Sequence, residues 1–417
     1  MTVPNARTPA TALAGAGTSA PPSATDARGR RHAVLEAMAG RYRVVPVVIT
    51  LVLIWGFFAA QNGDFLGNRN LTNLLVQIVV TATIALGIVF VLLMAEIDLS
   101  VAANSGACAT LTAILVVNHG WPSGLGIAAG IAAGAAIGVV QGGVVTQFGV
   151  PSFVVTLGSQ LILLGAILQL LPGGTGQVSL FGTGIADISG TYLAPAVGWI
   201  VALAAVAVFV LLQLGAARDA RRRGLATGGP LAVLGPAIIV AVVTVAVVAM
   251  LNSYLGVPLP VVILFALLAL ASYVTTQTRF GLHLYAVGGN PDAARRAGIR
   301  VDRLKMVAFM LAGAFAALGG ILAASRVLGV SSSSGQGTIL LEAIAAAVIG
   351  GTSLFGGKGS VWDALLGALV IGSLANGLDL IGAETVVKYV AEGAILVLAA
   401  TVDAILTRGS IFARGGK

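Results

Sequence analysis

Apolar stretches of roughly 20 residues, the length that crosses a bilayer as a helix, follow one another from Val44 to Leu406, with charged residues mostly between them. In lipid a chain satisfies its backbone hydrogen bonds only as helices or as a closed barrel. These runs are continuous and do not alternate with period two, so they are helices. The chain has 417 residues, 58% hydrophobic and only 9% charged, which is more apolar surface than a water-soluble fold of this size buries. The fold class is therefore an all-α, polytopic integral membrane protein with 10 to 12 transmembrane helices.

Hydropathy places spans near Val44–Ala60, Leu74–Ala95, Val101–Asn118, Gly124–Phe148, Ser152–Leu171 and Ala196–Gly215. Six more lie near Leu231–Leu251, Pro258–Thr276, Leu304–Ala324, Ile339–Leu354, Val361–Leu378 and Val386–Leu406. The segments flanking Ser331–Gly351 read equally as spans or as re-entrant, broken helices. Residues 1–43, rich in Ala, Thr, Ser, Pro and Gly, read as a disordered cytoplasmic tail, and residues 407–417 as a short cytoplasmic tail. The amino-terminal segment has no cleavable signal pattern, because its apolar stretch starts too late.

The net charge of +8 reflects membrane orientation rather than nucleic-acid binding, since the basic residues cluster at span ends instead of forming a stripe interleaved with aromatics. With the amino terminus inside, the first tail, the loop with Arg218, Arg221, Arg222 and Arg223, the loop Arg279–Lys305, Lys358 and the last tail share one side. That is 20 of the 23 Lys and Arg residues, leaving Arg69, Arg326 and Lys388 elsewhere. The positive-inside rule then sets both termini in the cytoplasm and an even number of spans.

Little in the sequence points to catalysis or metal binding. Cys108 is the only cysteine, and His32, His119 and His283 lie far apart, so there is no cysteine or histidine metal site. No Ser/His/Asp set, HExxH or paired mid-helix aspartates occur. Lys358 in the run Gly351–Ser360 lacks the GxxxxGK spacing of a phosphate-binding loop, so any nucleotide hydrolysis belongs to another chain.

Other motifs carry packing or mechanism. Gly126, Gly130, Gly134, Gly138 and Gly142 repeat every four residues, a bare helix face for close packing. Glu96 and Asp98, with Ser100, stand where one apolar run ends and another begins; they form either a broken-helix element beside a pathway or a capped turn. Lys388 and Glu392, four residues apart, read as a local helix pair. In the loop 277–303, Gly288 and Gly289 allow a tight turn, Asn290 caps, Pro291 suits the first helical position, and Ala293–Ala297 form a short helix stopped by Gly298. Such a helix suits docking into a partner's cleft, and an ordinary amphipathic connector is the plainer alternative.

The segment from Tyr285 to Ile299, with its G-G-N, A-A-R and G-I pattern, resembles the coupling region of the sugar-importing permeases of ATP-binding-cassette transporters, the ribose, arabinose and xylose type. Matching runs are Glu96–Ser100, Val150–Leu157, Ala343–Leu354, Gly356–Ser360 and Asn376–Gly377, in family order from about Val44 to Ile405. The Ala-Glu-Ile-Asp-Leu-Ser run and the longer middle are most similar to the D-xylose import permeases. The resemblance implies a type II-importer-like permease fold and contact with a cytoplasmic ATPase through Gly289, Asn290, Ala293, Ala294, Gly298 and Ile299. It further implies an extracytoplasmic sugar-binding protein, a second permease copy, a bacterial cell membrane location, and ATP and Mg used by the ATPase with no cofactor on this chain. Glu96, Asp98, Ser100, Glu342 and Asn376 are the expected pathway or helix-break residues.

Other cargoes in that family, namely ribose, arabinose, galactose or a nucleoside, are not separated by spacing. A secondary transporter coupled to protons or sodium is the rival of another class. It calls for a committed mid-span acid and gives the displayed helix no purpose.

Overall fold

The computed structural model describes residues 44–222 and 230–414; the amino-terminal tail, residues 223–229 and the last three residues lie outside them. The chain separates into Met1–Val45 and Pro46–Lys417, and the architecture is that of the second unit. Its helices are α1 (Val44–Gln61), α2 (Asn68–Leu92), α3 (Val101–Ala113, prolonged by one π-helical stretch, Ile114–Asn118), α4 (Ser123–Phe148) and α5 (Ser152–Leu170). There follow a short α6 (Gly184–Gly190), α7 (Pro195–Arg222), α8 (Pro230–Asn252), α9 (Leu259–Gln277), α10 (Arg279–Gly289), α11 (Pro291–Arg296) and α12 (Val301–Val327). The chain closes with α13 (Ile339–Gly350), α14 (Val361–Leu380) and α15 (Thr385–Arg414). Two tiny antiparallel pairs, Val178–Ser179 with Gly329–Val330 and Tyr192–Leu193 with Val257–Pro258, tie loops together at one end.

Among the described residues ten helices are long and apolar enough to cross a membrane. The apolar windows of α2 and α3 are 78% buried, whereas those of α1 and α7 are 11% and 12% buried. This contrast separates a protein-packed centre from a periphery whose Leu53, Leu161, Ile162 and Ile200 stand exposed. In water such a belt would drive aggregation; in lipid it costs nothing, because the acyl chains are as apolar as leucine.

The glycine stripe of α4 lies on α3 and α12. A Cβ at Gly130 would sit 2.1 Å from the Thr112 hydroxyl, one at Gly134 2.4 Å from the carbonyl of Gly313, and one at Gly138 2.1 Å from the carbonyl of Phe309. Gly126 and Gly142 meet Val116 and Met306 in the same way. Gly313 answers from α12, since its own Cβ would lie 2.1 Å from the Gly134 carbonyl. Two backbones thus touch directly, the packing available to helices that gain nothing from hiding apolar surface from water.

The expected span Ile339–Leu354 differs from the observed element. Only Ile339–Gly350 is helical, too short to cross. The preceding residues, Ser331 to Thr338, are irregular and lie against the start of α3, with Ser334 over Gly106 and Gly335 over Ala102. Ser333, Gln336 and Gly337 of this segment are exposed and the others half-buried. Gly335 and Gly337 carry φ of +72° and +76°, which glycine adopts freely.

A leucine at Gly138 would be forced into the Phe309 backbone, which has no flexible end to move aside. Gly138→Leu is expected to destabilise the protein by upward of about 3 kcal/mol and to abolish the monodisperse peak in detergent gel filtration. Gly143→Ala, one turn away with open space at its Cβ, should leave that peak and its melting temperature unchanged or slightly raised.

Candidate functional site

α2 stops after Leu92 by a two-bond closure. The Ala95 amide donates to the Leu92 carbonyl at 2.9 Å and the Glu96 amide to the Val91 carbonyl at 3.2 Å, with Ala95 in the left-handed region at φ +59°. Such a stop normally uses glycine. Its strain is held by tertiary contact: the Gly357 amide donates to the Leu93 carbonyl at 3.0 Å, and Gly288 lies so close that its Cβ would be 1.7 Å from that same oxygen. Gly288 and Gly289 belong to the last turn of α10, not to the tight turn expected; at Gly288 the glycine permits the close approach, whereas a Cβ at Gly289 would meet open space. The Tyr285 hydroxyl donates to the Gly359 carbonyl at 3.0 Å and ties α10 to the loop before α14.

The residues of the Glu96–Ser100 run prove to be ties. The Glu96 carboxylate pairs with Lys305 at the start of α12. Asp98 Oδ1 accepts from the Ser100 amide at 2.8 Å and the Ser100 hydroxyl at 2.7 Å, and Gln141 Nε2 donates to that hydroxyl at 2.8 Å. Ser152 and Thr156 hydroxyls on α5 accept from the Ile97 and Leu99 amides. Asp98 Oδ2 and Gln141 Oε1 have no hydrogen-bond partner among the described residues. The run is a capped turn at the break between α2 and α3, and its ties to Lys305 from Glu96 and to Gln141 from Ser100 lie too far along the sequence for spacing to reveal.

Beyond this junction α11 stands on the surface. Asn290 Oδ1 accepts from the Ala293 amide at 2.9 Å, Pro291 opens the helix, and Gly298 at φ +82° closes it. Gly289, Asn290, Ala293 and Gly298 are exposed, whereas Ala294 is buried and Ile299 packs against the core. The last two anchor the helix, and the exposed four are its presentable face.

At the opposite end of the bundle a cavity of about 540 Å³ opens between α2, α6, α12 and α14. Asn70, Asn73 and Gln77 line it from one face of α2, at spacing i, i+3, i+7; Tyr192, Ser325, Arg326, Asn376 and Asp379 complete the polar wall. Asn70 and Asn376 exchange amide hydrogen bonds at 2.8 and 3.1 Å. Asn376 is thus a lining residue, and the amide periodicity on α2 was the signal that would have found the others. Glu342 lines a second cavity of about 360 Å³ together with Tyr389 and Glu392. Its Oε1 takes the Thr338 hydroxyl and its Oε2 the Thr81 hydroxyl at 3.3 Å. The ion pair that Lys388 makes is with Asp379, across the turn between α14 and α15, rather than the expected pair with Glu392.

Two substitutions test this geometry. Asn290→Ala removes a helix cap of about 1 kcal/mol and should speed amide exchange of residues 293–298, with exchange in α12 unaltered. Ala95→Gly relieves left-handed strain of roughly 1 kcal/mol and should raise the melting temperature of the detergent-solubilised protein.

Residues 70–400 match the family model described as branched-chain amino acid transport system / permease component. The chain is 37% identical over 369 residues to the xylose transport system permease protein of Escherichia coli (strain K12), covering 88% of this chain and 93% of that one. It is 38% identical over 362 residues to the xylose permease of Haemophilus influenzae, covering 87% and 96%. To the ribose import permease of Escherichia coli (strain K12) it is 32% identical over 359 residues, 85% and 92%. No solved structure matches it. A membrane bundle with a displayed helix at one end and a polar cavity at the other, matched over most of its length by this model and these relatives, belongs to the transport-system permease family.

Proposed function

We propose that this chain is the membrane-spanning subunit of an ATP-driven importer that carries a monosaccharide, D-xylose, into the cell. The observation that carries the cargo is the identity to xylose permeases along 87–88% of the chain, above that to the ribose permease. The subunit itself is non-catalytic; a separate cytoplasmic ATPase uses ATP and Mg, and an extracytoplasmic binding protein delivers the sugar to a pair of permeases.

The end bearing α11 faces the cytoplasm, in keeping with Arg279, Arg295, Arg296, Arg300, Arg303, Lys305 and Lys358 gathered there. The ATPase receives α11 through Gly289, Asn290, Ala293 and Gly298. A push on α11 passes through α10 to Gly288, Leu93 and Gly357, and so to the break between α2 and α3. Direction of transport then comes from the nucleotide-driven change in which state of the permease is favoured.

The test is uptake of labelled D-xylose by cells that carry the chain with its ATPase and binding protein. Uptake is expected to require the ATPase and to fall at least about tenfold in Ala293→Arg, which places a bulky charge on the exposed face of α11 without touching the core, at unchanged permease level. Uptake that persists without the ATPase would sink the coupled reading in favour of a secondary transporter.

A further inference from the structure

A permease supplied by a binding protein can be a passive conduit, and the amide-lined cavity is built differently. Its wall combines the amides of Asn70, Asn73, Gln77 and Asn376 with one cation, Arg326, and one carboxylate, Asp379; the two charges are of opposite sign, and the donors and acceptors together match a neutral polyol. A volume of about 540 Å³ falls in the ~300–1,000 Å³ range of small-molecule sites. The amides of Asn73 and Gln77 have no side-chain hydrogen bond to any described residue, whereas Asn70 and Asn376 are locked to each other. The locked pair forms a rigid floor, and the other two amides are left to meet a ligand.

Asp379 has two claims on it. It lines the cavity, and its Oδ1 also holds the ammonium of Lys388 in the first turn of α15. α15 follows a turn in which Gly382 has φ +68°, and the residues next to Lys388 on the same helix, Tyr389 and Glu392, line the second cavity with Glu342. Asp379 thus borders the first cavity, and its partner Lys388 sits on the helix that supplies two lining residues of the second. A sugar hydroxyl donating to Asp379 competes with Lys388 for the same carboxylate, and at this half-exposed position the ion pair is weak enough to be displaced.

We propose that the cavity is a monosaccharide subsite of the permease itself, and that its occupancy, by taking Asp379 from Lys388, unlatches α15 and opens the way to the second cavity. This rests on the sugar-import reading above and adds a site and a gate to it.

The experiment is equilibrium binding of labelled D-xylose to the full-length permease with its ATPase in lipid nanodiscs, binding protein absent, up to about 100 mM sugar, beside uptake by the complete importer. Saturable binding is expected, competed by unlabelled xylose and not by mannitol. Asn73→Ala and Gln77→Ala should each weaken it about tenfold, the loss of one well-made hydrogen bond. The two partners of the latch should move affinity in opposite directions: Asp379→Asn weakens binding about tenfold, and Lys388→Gln tightens it severalfold by removing the competitor. A purely structural ion pair would make both variants shift binding the same way, and that result overturns the latch. Absence of saturable binding while the complete importer still takes up xylose overturns the subsite and leaves the transport function standing. If the importer carries another monosaccharide and not xylose, the cargo assignment fails, and the same binding series with that sugar decides the subsite.

Discussion

The close approach of three backbones at Leu93, Gly288 and Gly357 is the contact on which the arrangement of the bundle depends. One carbonyl, that of Leu93, accepts from Gly357 and is roofed by Gly288, so α2, α10 and the loop before α14 are joined at a point with no room for a side chain. Because α2 ends there and α3 begins a few residues on, the depth at which α3 enters the bundle is set by this junction. The irregular segment before α13 is then set by α3, against which Ser334 and Gly335 lie. Elements far apart in sequence inherit their position from one hydrogen bond and two glycines.

Much of this was legible in the sequence, for physical reasons that differ by element. The apolar helices were readable because lipid imposes length and apolarity without regard to partners, and the bare face of α4 because four-residue spacing marks one side of a helix. Asn290, Pro291 and Gly298 were readable because capping is local. The role of Glu96 was not, since it is decided by Lys305, far along the chain; Asp98 is held locally by Ser100, and only the support that Gln141 gives Ser100 comes from a distance. Lys388 had an obvious local partner in Glu392 and took a non-local one in Asp379. The cavity residues Asn70, Asn73 and Gln77 escaped notice because amides in the first turns of a span look like interfacial caps. Only the cavity opposite them makes their common face meaningful.

The polar groups of the bundle divide by the company they keep. Those near the α11 end are mostly engaged in ties: Glu96 with Lys305, Asp98 through Oδ1 with Ser100, and Asp363, buried, with the Ser360 amide and the Thr352 hydroxyl, while Asp98 Oδ2 has no hydrogen-bond partner among the described residues. Those at the other end are arranged around space. Hydrogen-bonded ties of the first kind are costly to disturb, whereas side chains such as those of Asn73 and Gln77 around the cavity stay available.

The glycine contact between α4 and α12 has a mechanical meaning. Helices separated by long side chains slide by letting rotamers hop, each hop absorbing a fraction of an ångström. Where carbonyl rests on Cα, no such soft layer exists, and relative sliding means backbone overlap. α3, α4 and α12 are therefore one stiff beam, and α13 and α14 form a second, since a Cβ at Gly367 would lie 1.8 Å from the Ala346 carbonyl and one at Gly350 1.9 Å from that of Asp363; relative motion is left to the contacts between such rigid pairs, where side chains intervene.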